Sequence, residues 1–315
     1  MLVSTASLRQ PTFKVPNHRR RALEQSVVDY VKSECEVRAE YVRRKIMIAA
    51  KAAREDHDGS DCLFFTLPEF FWNVPWREVV TEDELHQLNA AYLEYVPTYV
   101  MGLVKDLPFE RYGKIVLLAG SCATLIKVGE GDASYYDVIN YLLAITNKEY
   151  ENDVPLMSMW PKRNVSGIDF GKHVGFEEGY WFFNLSEGLT VKVKKLSNVR
   201  AEHSYFGGYE ALFVNSLVMG CPFGINLCLD YAVLEEGERD QEIELSGVKV
   251  DFLIACGMDV DYGKLHPSSV QYIVRNDGMG EGECEVVKLE AGRIVGVVPS
   301  VVIDDNLYLT PLNID

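Results

Sequence analysis

The chain has 315 residues, 48% hydrophobic and 25% charged, a globular composition that excludes disorder, collagen-like repetition and a disulfide-dense scaffold. Its 31 basic against 47 acidic residues leave a net charge of −16, which repels phosphate backbones and anionic lipid surfaces, so neither nucleic acid nor membrane is expected as a partner. Seven cysteines with no Cys-x-x-Cys pair point to reduced thiols and a cytoplasmic location.

Met1 to Ala6 lacks a basic region followed by a long apolar one, so no secretory signal is expected. Leu2 to Leu8 reads as a strand, and Pro11 and Pro16 as a loop. The basic run His18-Arg19-Arg20-Arg21 reads as the solvated start of a helical region that reaches Arg54, with residues 17–36 as an N-terminal helical extension. Val42, Ile46, Ala49, Ala50 and Ala53 recur at helical spacing and form its buried stripe. After the polar turn Asp56 to Ser60, the apolar run Cys62-Leu63-Phe64-Phe65 predicts a buried strand that stops at Leu67-Pro68-Glu69.

A second helix is predicted from Thr81, whose hydroxyl can cap it, through Leu85, Leu88 and Tyr92. Strands are expected at Lys114–Gly120, Tyr135–Ile145, Tyr180–Phe183, Leu212–Val218, Phe223–Leu229, Val248–Ala255 and Arg293–Val302. Gly129-Glu130-Gly131 lacks the Gly-Lys-Ser/Thr of a phosphate loop and reads as a turn. Ala211 to Leu229 is free of charge and almost long enough to span a bilayer, but Asn215, Ser216, Pro222, Gly224 and Asn226 make it two strands around a Gly-Cys-Pro turn. The sequons at Asn164 and Asn184 have no consequence without secretion. With helical signals early, strand signals later and no internal repeat, residues 1–315 read as one layered α/β domain. Pattern alone leaves open a doubly wound sheet or two sheets covered by helices.

Three polar residues stand beside apolar strands: Glu69 in Phe65-Thr66-Leu67-Pro68-Glu69-Phe70-Phe71, Lys162 in Trp160-Pro161-Lys162-Arg163-Asn164, and Cys228 in Ile225-Asn226-Leu227-Cys228-Leu229-Asp230. A cysteine is mostly protonated at neutral pH and needs a base to become a nucleophile. Glu69, among Phe70, Phe71 and Trp72, gains proton affinity by desolvation and suits that task. A lysine ammonium can stabilise the negative charge that attack on an amide or nitrile creates.

In these contexts and in this order, the three residues resemble the nitrilase, or carbon-nitrogen hydrolase, superfamily. The resemblance spans the chain from the helix ending near Arg54 to the strand at Val250–Ile254. It implies a four-layer α-β-β-α sandwich of the nitrilase type and a cofactor-independent, metal-free hydrolase acting on a small-molecule amide or nitrile through a Cys228 thioester. It also implies subunits that dimerise, or assemble further, by helix packing. The form Cys228-Leu229-Asp230 is closer to amidase-like members than to true nitrilases. A second glutamate after the lysine is part of the family pattern, and Glu178 takes that role here, with Glu177 as the alternative. The segment between Lys162 and Cys228 is longer than in many relatives and implies an altered pocket wall or lid. Amide-forming acyl transfer, and a catalytically silent binding or assembly member, are the other readings.

Among the remaining candidates, Cys122 follows a strand but has no Gly-x-Ser-x-Gly context or local histidine, and reads as a packed thiol, as does Cys221. Asp259-Val260-Asp261-Tyr262-Gly263 resembles the start of a calcium loop, but Val270 occupies the position of the final acid, so no calcium is expected. Six scattered histidines give no zinc spacing.

Overall fold

The apolar run at Cys62 leaves no face for solvent, and every residue of the strand it forms, Cys62–Thr66, is buried. In the computed structural model, which describes residues 1–13, 19–55, 59–197, 209–211, 214–215, 217–233 and 238–315, the protein is mixed α/β with two sheets and few helices. The strands β1 (Leu2–Leu8), β2 (Cys62–Thr66), β3 (Ile115–Val128), β4 (Tyr135–Glu151), β5 (Val154–Pro161), β6 (Lys172–Glu177), β7 (Tyr180–Ser186) and β8 (Leu189–Lys194) make most of the first sheet. The second contains β9 (Tyr209–Ala211), β10 (Val214–Asn215), β11 (Phe223–Leu227), β12 (Val250–Ala255), β13 (Tyr272–Asp277), β14 (Glu283–Glu290) and β15 (Arg293–Val297). The last two strands, β16 (Val301–Asp304) and β17 (Leu307–Asn313), return to the first sheet. The helices are α1 (Val27–Glu55), α2 (Glu82–Lys105), α3 (Phe109–Tyr112), α4 (Asp230–Val233) and α5 (Glu238–Ser246).

Strand β2 is parallel to both neighbours, β1 and β3, and β11, β12 and β13 form a parallel set in the other sheet. Alternation along β2 separates two cores: Leu63 and Phe65 join a cluster with α1 and α2, while Cys62 and Phe64 join one with Phe223, Ile225, Phe252 and Ile254 of the second sheet. Phe64 is 5.1 Å from both Phe223 and Phe252, ring centre to ring centre. On the far face of the second sheet, Leu253 and Ile273 pack with Ile243 of α5. Buried polar groups cross between the sheets, among them the Asn276 amide, which donates to Leu8 O, Thr66 O and Thr66 Oγ1 at 3.0–3.3 Å. Strand β1 pairs with β17 along its whole length, Leu2 opposite Asn313 and Leu8 opposite Leu307. Beside this ladder, the terminal ammonium of Met1 donates to Ile314 O at 2.9 Å.

Several boundaries differ from the sequence reading. Helix α1 begins at Val27 rather than Arg21, because the Ser26 hydroxyl accepts from the Asp29 N–H at 3.0 Å and caps it there. Residues 27–36 of the expected extension are the first turns of this one long helix, and residues 17–18 lie outside the described residues. Of the expected strand at Leu212–Val218, the described part is Val214–Asn215, in β10. Arg293–Val302 splits into β15 and β16 around Val298-Pro299-Ser300, since Pro299 offers no N–H to a ladder and the halves belong to different sheets. Strands β5, β6, β8, β13, β14 and β17 had no clear signal; β6, for example, is exposed at all positions but one. No described helix is long and apolar enough to cross a membrane.

Candidate active site

Glu69 follows β2 across Leu67-Pro68, and three devices fix this turn. Gly120 has φ of +66°, and a Cβ there would stand 2.5 Å from Pro68 O, so the strand can pass the turn only at a glycine. The neighbouring Ser121 hydroxyl accepts from the Phe70 N–H at 3.0 Å. Phe70 itself has φ of 61°, a conformation that bulky residues rarely hold without support. Beyond it, Arg38 of α1 donates to Phe71 O and Asn73 O at 2.7 and 2.9 Å, and the Trp72 indole donates to Ala119 O at 2.7 Å.

Lys162 stands directly after β5, its N–H donating to Asn140 O at 2.7 Å. Cys228 stands directly after β11 with φ of 48°, its N–H donating to Ile254 O at 3.0 Å and its thiol lying 3.6 Å from Cys256 O. Asp230 ties the two turns together: its carboxylate accepts from the N–H groups of Arg163 and Asn164, both at 2.8 Å, and from the Asn164 side chain at 2.9 Å. On the other side of Cys228, Asp277 accepts from the N–H groups of Gly257, Met258 and Met279 and holds the turn after β12.

The Lys162 ammonium is the centre of this arrangement. It donates to Glu69 Oε1 at 2.9 Å and to both Asp169 oxygens at 3.0 and 2.8 Å, and it sits 5.6 Å from the centre of the Phe70 ring. The Glu69 and Lys162 side chains are 0% and 1% exposed. Glu69 Oε1 also accepts from the Asn140 amide at 3.1 Å, while Oε2 holds no hydrogen bond among the described residues. Burial pushes the Glu69 carboxyl up to about 7, helped by Asp169 and opposed by Lys162 and the Cys228 thiol. Burial lowers the proton affinity of Lys162, but the charges of Asp169 and Glu69 outweigh it and hold the ammonium well above its ordinary range. The Cys228 thiol is pushed well up, by burial first and then by Glu69, with Lys162 pulling the other way. Asp230 is raised by burial against the pull of its N–H donors.

Glu69, Lys162 and Cys228, read from the sequence as one set, therefore come together, from strand ends of both sheets. Glu178 and Glu177 do not join them. Both are exposed on the β6–β7 hairpin, where Glu177 pairs with Lys192. The second carboxylate at Lys162 is Asp169, which the sequence reading missed. Its loop closes on itself through Ser166, whose N–H and hydroxyl donate to the carboxylate at 3.0 and 2.9 Å, so the Ser-x-x-Asp spacing was the available signal. Asn140, a polar residue inside β4, was also missed.

Cys122 lies within β3, which continues through a bulge at Gly120 instead of ending there, and its thiol packs against the helices with its proton affinity raised by burial. Cys221 is buried between the sheets. Asp261 closes a local turn onto the Gly263 and Lys264 N–H groups, and Asp259 pairs with Arg275 at 2.8 Å. Among the described residues no cluster of His, Cys, Asp or Glu is arranged to hold a metal ion. A cavity of about 300 Å³ adjoins the charged cluster and shares Phe70 and Asp169 with it. No protein-family model matches the chain, and no curated protein matches it.

Proposed function

We propose that the protein is a carbon-nitrogen hydrolase, an amidase of the nitrilase type, in which Cys228 is the nucleophile, Glu69 the general base and acid, and Lys162 the electrostatic stabiliser. The observation that carries this reading is the buried ammonium of Lys162 bonded to Glu69 and Asp169 beside the Cys228 thiol. The pairing of two sheets with helical cover supports the four-layer α-β-β-α architecture of that family. Reduced cysteines in an acidic chain support a cytoplasmic enzyme, and a homo-oligomer is proposed with it.

Glu69 Oε2 accepts the thiol proton as sulfur attacks the amide carbon; the S–C bond forms and the carbonyl electrons move to oxygen. The positive charge that stabilises this oxygen is the ammonium of Lys162, which stays protonated because its two carboxylates hold the proton. Protonated Glu69 then gives its proton to the departing nitrogen, the C–N bond breaks, and ammonia or an amine leaves a thioester on Cys228. Glu69, again a carboxylate, deprotonates a water that attacks the thioester, and the thiol recovers its proton as the acid departs. No bound cofactor is needed for any of these steps.

The test is intact-mass measurement during incubation with a panel of amides and nitriles. The wild-type protein is expected to gain an acyl mass that Cys228→Ala never gains. An unmodified Cys228 across the whole panel, with correctly folded protein, would remove this reading. Adding a competing amine separates hydrolysis from transfer, since amide product in place of acid marks the latter.

A further inference from the structure

The long segment between Lys162 and Cys228 builds β6, β7 and β8, an antiparallel meander that joins the first sheet through a parallel pairing of β8 with β4. Lys172, at the start of β6, lines the cavity of about 300 Å³, together with Phe13, Phe70, Trp76, Arg77 and Asp169. Three aromatic rings give this space flat apolar walls. Its charged lining carries a cationic excess: Arg77 and Lys172 stand against Asp169, which shares the buried Lys162 ammonium with Glu69. The Nε of Arg77 lies 3.5 Å from Glu78, which does not line the cavity. Lys172 has no ion pair among the described residues. Two cations thus stand at one cavity of a chain whose net charge is −16, where a general excess of acid predicts the opposite.

We infer that the substrate is an amide whose acyl group carries an anionic end, a carboxylate or phosphate class of group, joined to the scissile carbon by an apolar or flat spacer. The spacer lies among Phe13, Phe70 and Trp76, the anion meets Arg77 and Lys172, and the amide reaches Lys162 past Asp169 and Phe70. This rests on the amidase reading above and adds the selectivity. An anionic end gains charge-assisted hydrogen bonds to Arg77 and Lys172 that a neutral chain cannot make, so discrimination favours the anion. The inserted meander is then the specificity wall of the pocket, because it contributes one of the two cations.

The experiment compares kcat/KM for three amide series of equal length on the full chain: neutral acyl chains, ω-carboxylates and ω-phosphonates. Either anionic series is expected to exceed the neutral one by about tenfold or more, the equivalent of one modest ion pair. Which of the two leads identifies the anion. In Lys172→Gln and Arg77→Gln, both at exposed positions, the anionic-to-neutral ratio is expected to fall towards one, through KM. Equal or better turnover of neutral amides, with ratios unmoved by either substitution, overturns the inference while Cys228 acylation leaves the amidase reading standing. Absence of acylation by every member overturns the amidase reading and the inference with it.

Discussion

At the level of single residues, the site is a charge-sharing problem: one ammonium, two carboxylates and a thiol are buried together. Because burial raises Glu69 to about 7, and a base must be ionised to act, kcat/KM is expected to fall tenfold per pH unit below about 7. Glu69→Gln is expected to lose about 10²-fold or more in kcat and to lose this acid limb, as a pH–rate profile would register. Asp169 is one of the groups that raise Glu69. In Asp169→Asn the acid limb should therefore move to lower pH, and an unmoved limb would show that Asp169 does not act on the base. Glu69, Lys162 and Cys228 were legible because each interrupts an apolar strand context, where a polar side chain needs a reason to be. Asp169 was not, since Ser166-Gly167-Ile168-Asp169 has the composition of an ordinary solvated turn. The choice of Glu178 failed for the opposite reason: adjacent glutamates before a glycine are what an exposed hairpin tip contains.

Elements carry the site through what passes between them. Pro68-Glu69 fits over β3 only because Gly120 has no side chain. Gly120→Ala is expected to keep the fold but displace the Glu69 turn, lowering kcat by an order of magnitude or more with KM less affected, by the sensitivity of catalysis to small misplacements. Between the sheets, the Asn276 amide serves three acceptors on β1 and β2. Asn276→Leu removes this buried donor from all three and should cost about 1–3 kcal/mol in denaturant unfolding. The central strands were readable from apolar runs, Cys62–Phe65 in β2 and Phe252–Ala255 in β12, because both faces are buried. Strands such as β6 and β14 were not: β6 mixes exposed Lys172, His173 and Glu177 with exposed Val174 and Phe176, and the exposed charges of β14 fit a loop equally well. The bulge in β3 was also invisible: Ala119-Gly120-Ser121 reads as a stop, and the pairing with β4 that carries the strand past it is a tertiary property.

Across the whole molecule, sequence pattern alone left the two sheets as one of two layered arrangements, since strand order is set by pairing between distant segments. It was the family resemblance that implied a four-layer sandwich. The sequence showed where β1 is and gave no hint that its partner is β17. Strand β1 sits inside the first sheet with β2 on one edge and β17 on the other. A growing polypeptide consequently carries β1 with one hydrogen-bonding edge empty until residues 307–313 have been synthesised. Joining Asp315 to Met1 by a short turn and opening the chain at the exposed Gly129–Asp132 connection would convert that long-range closure into a local hairpin. Such a circular permutant is expected to refold faster than the natural order in stopped-flow kinetics, and equal rates would mean that another pairing limits assembly.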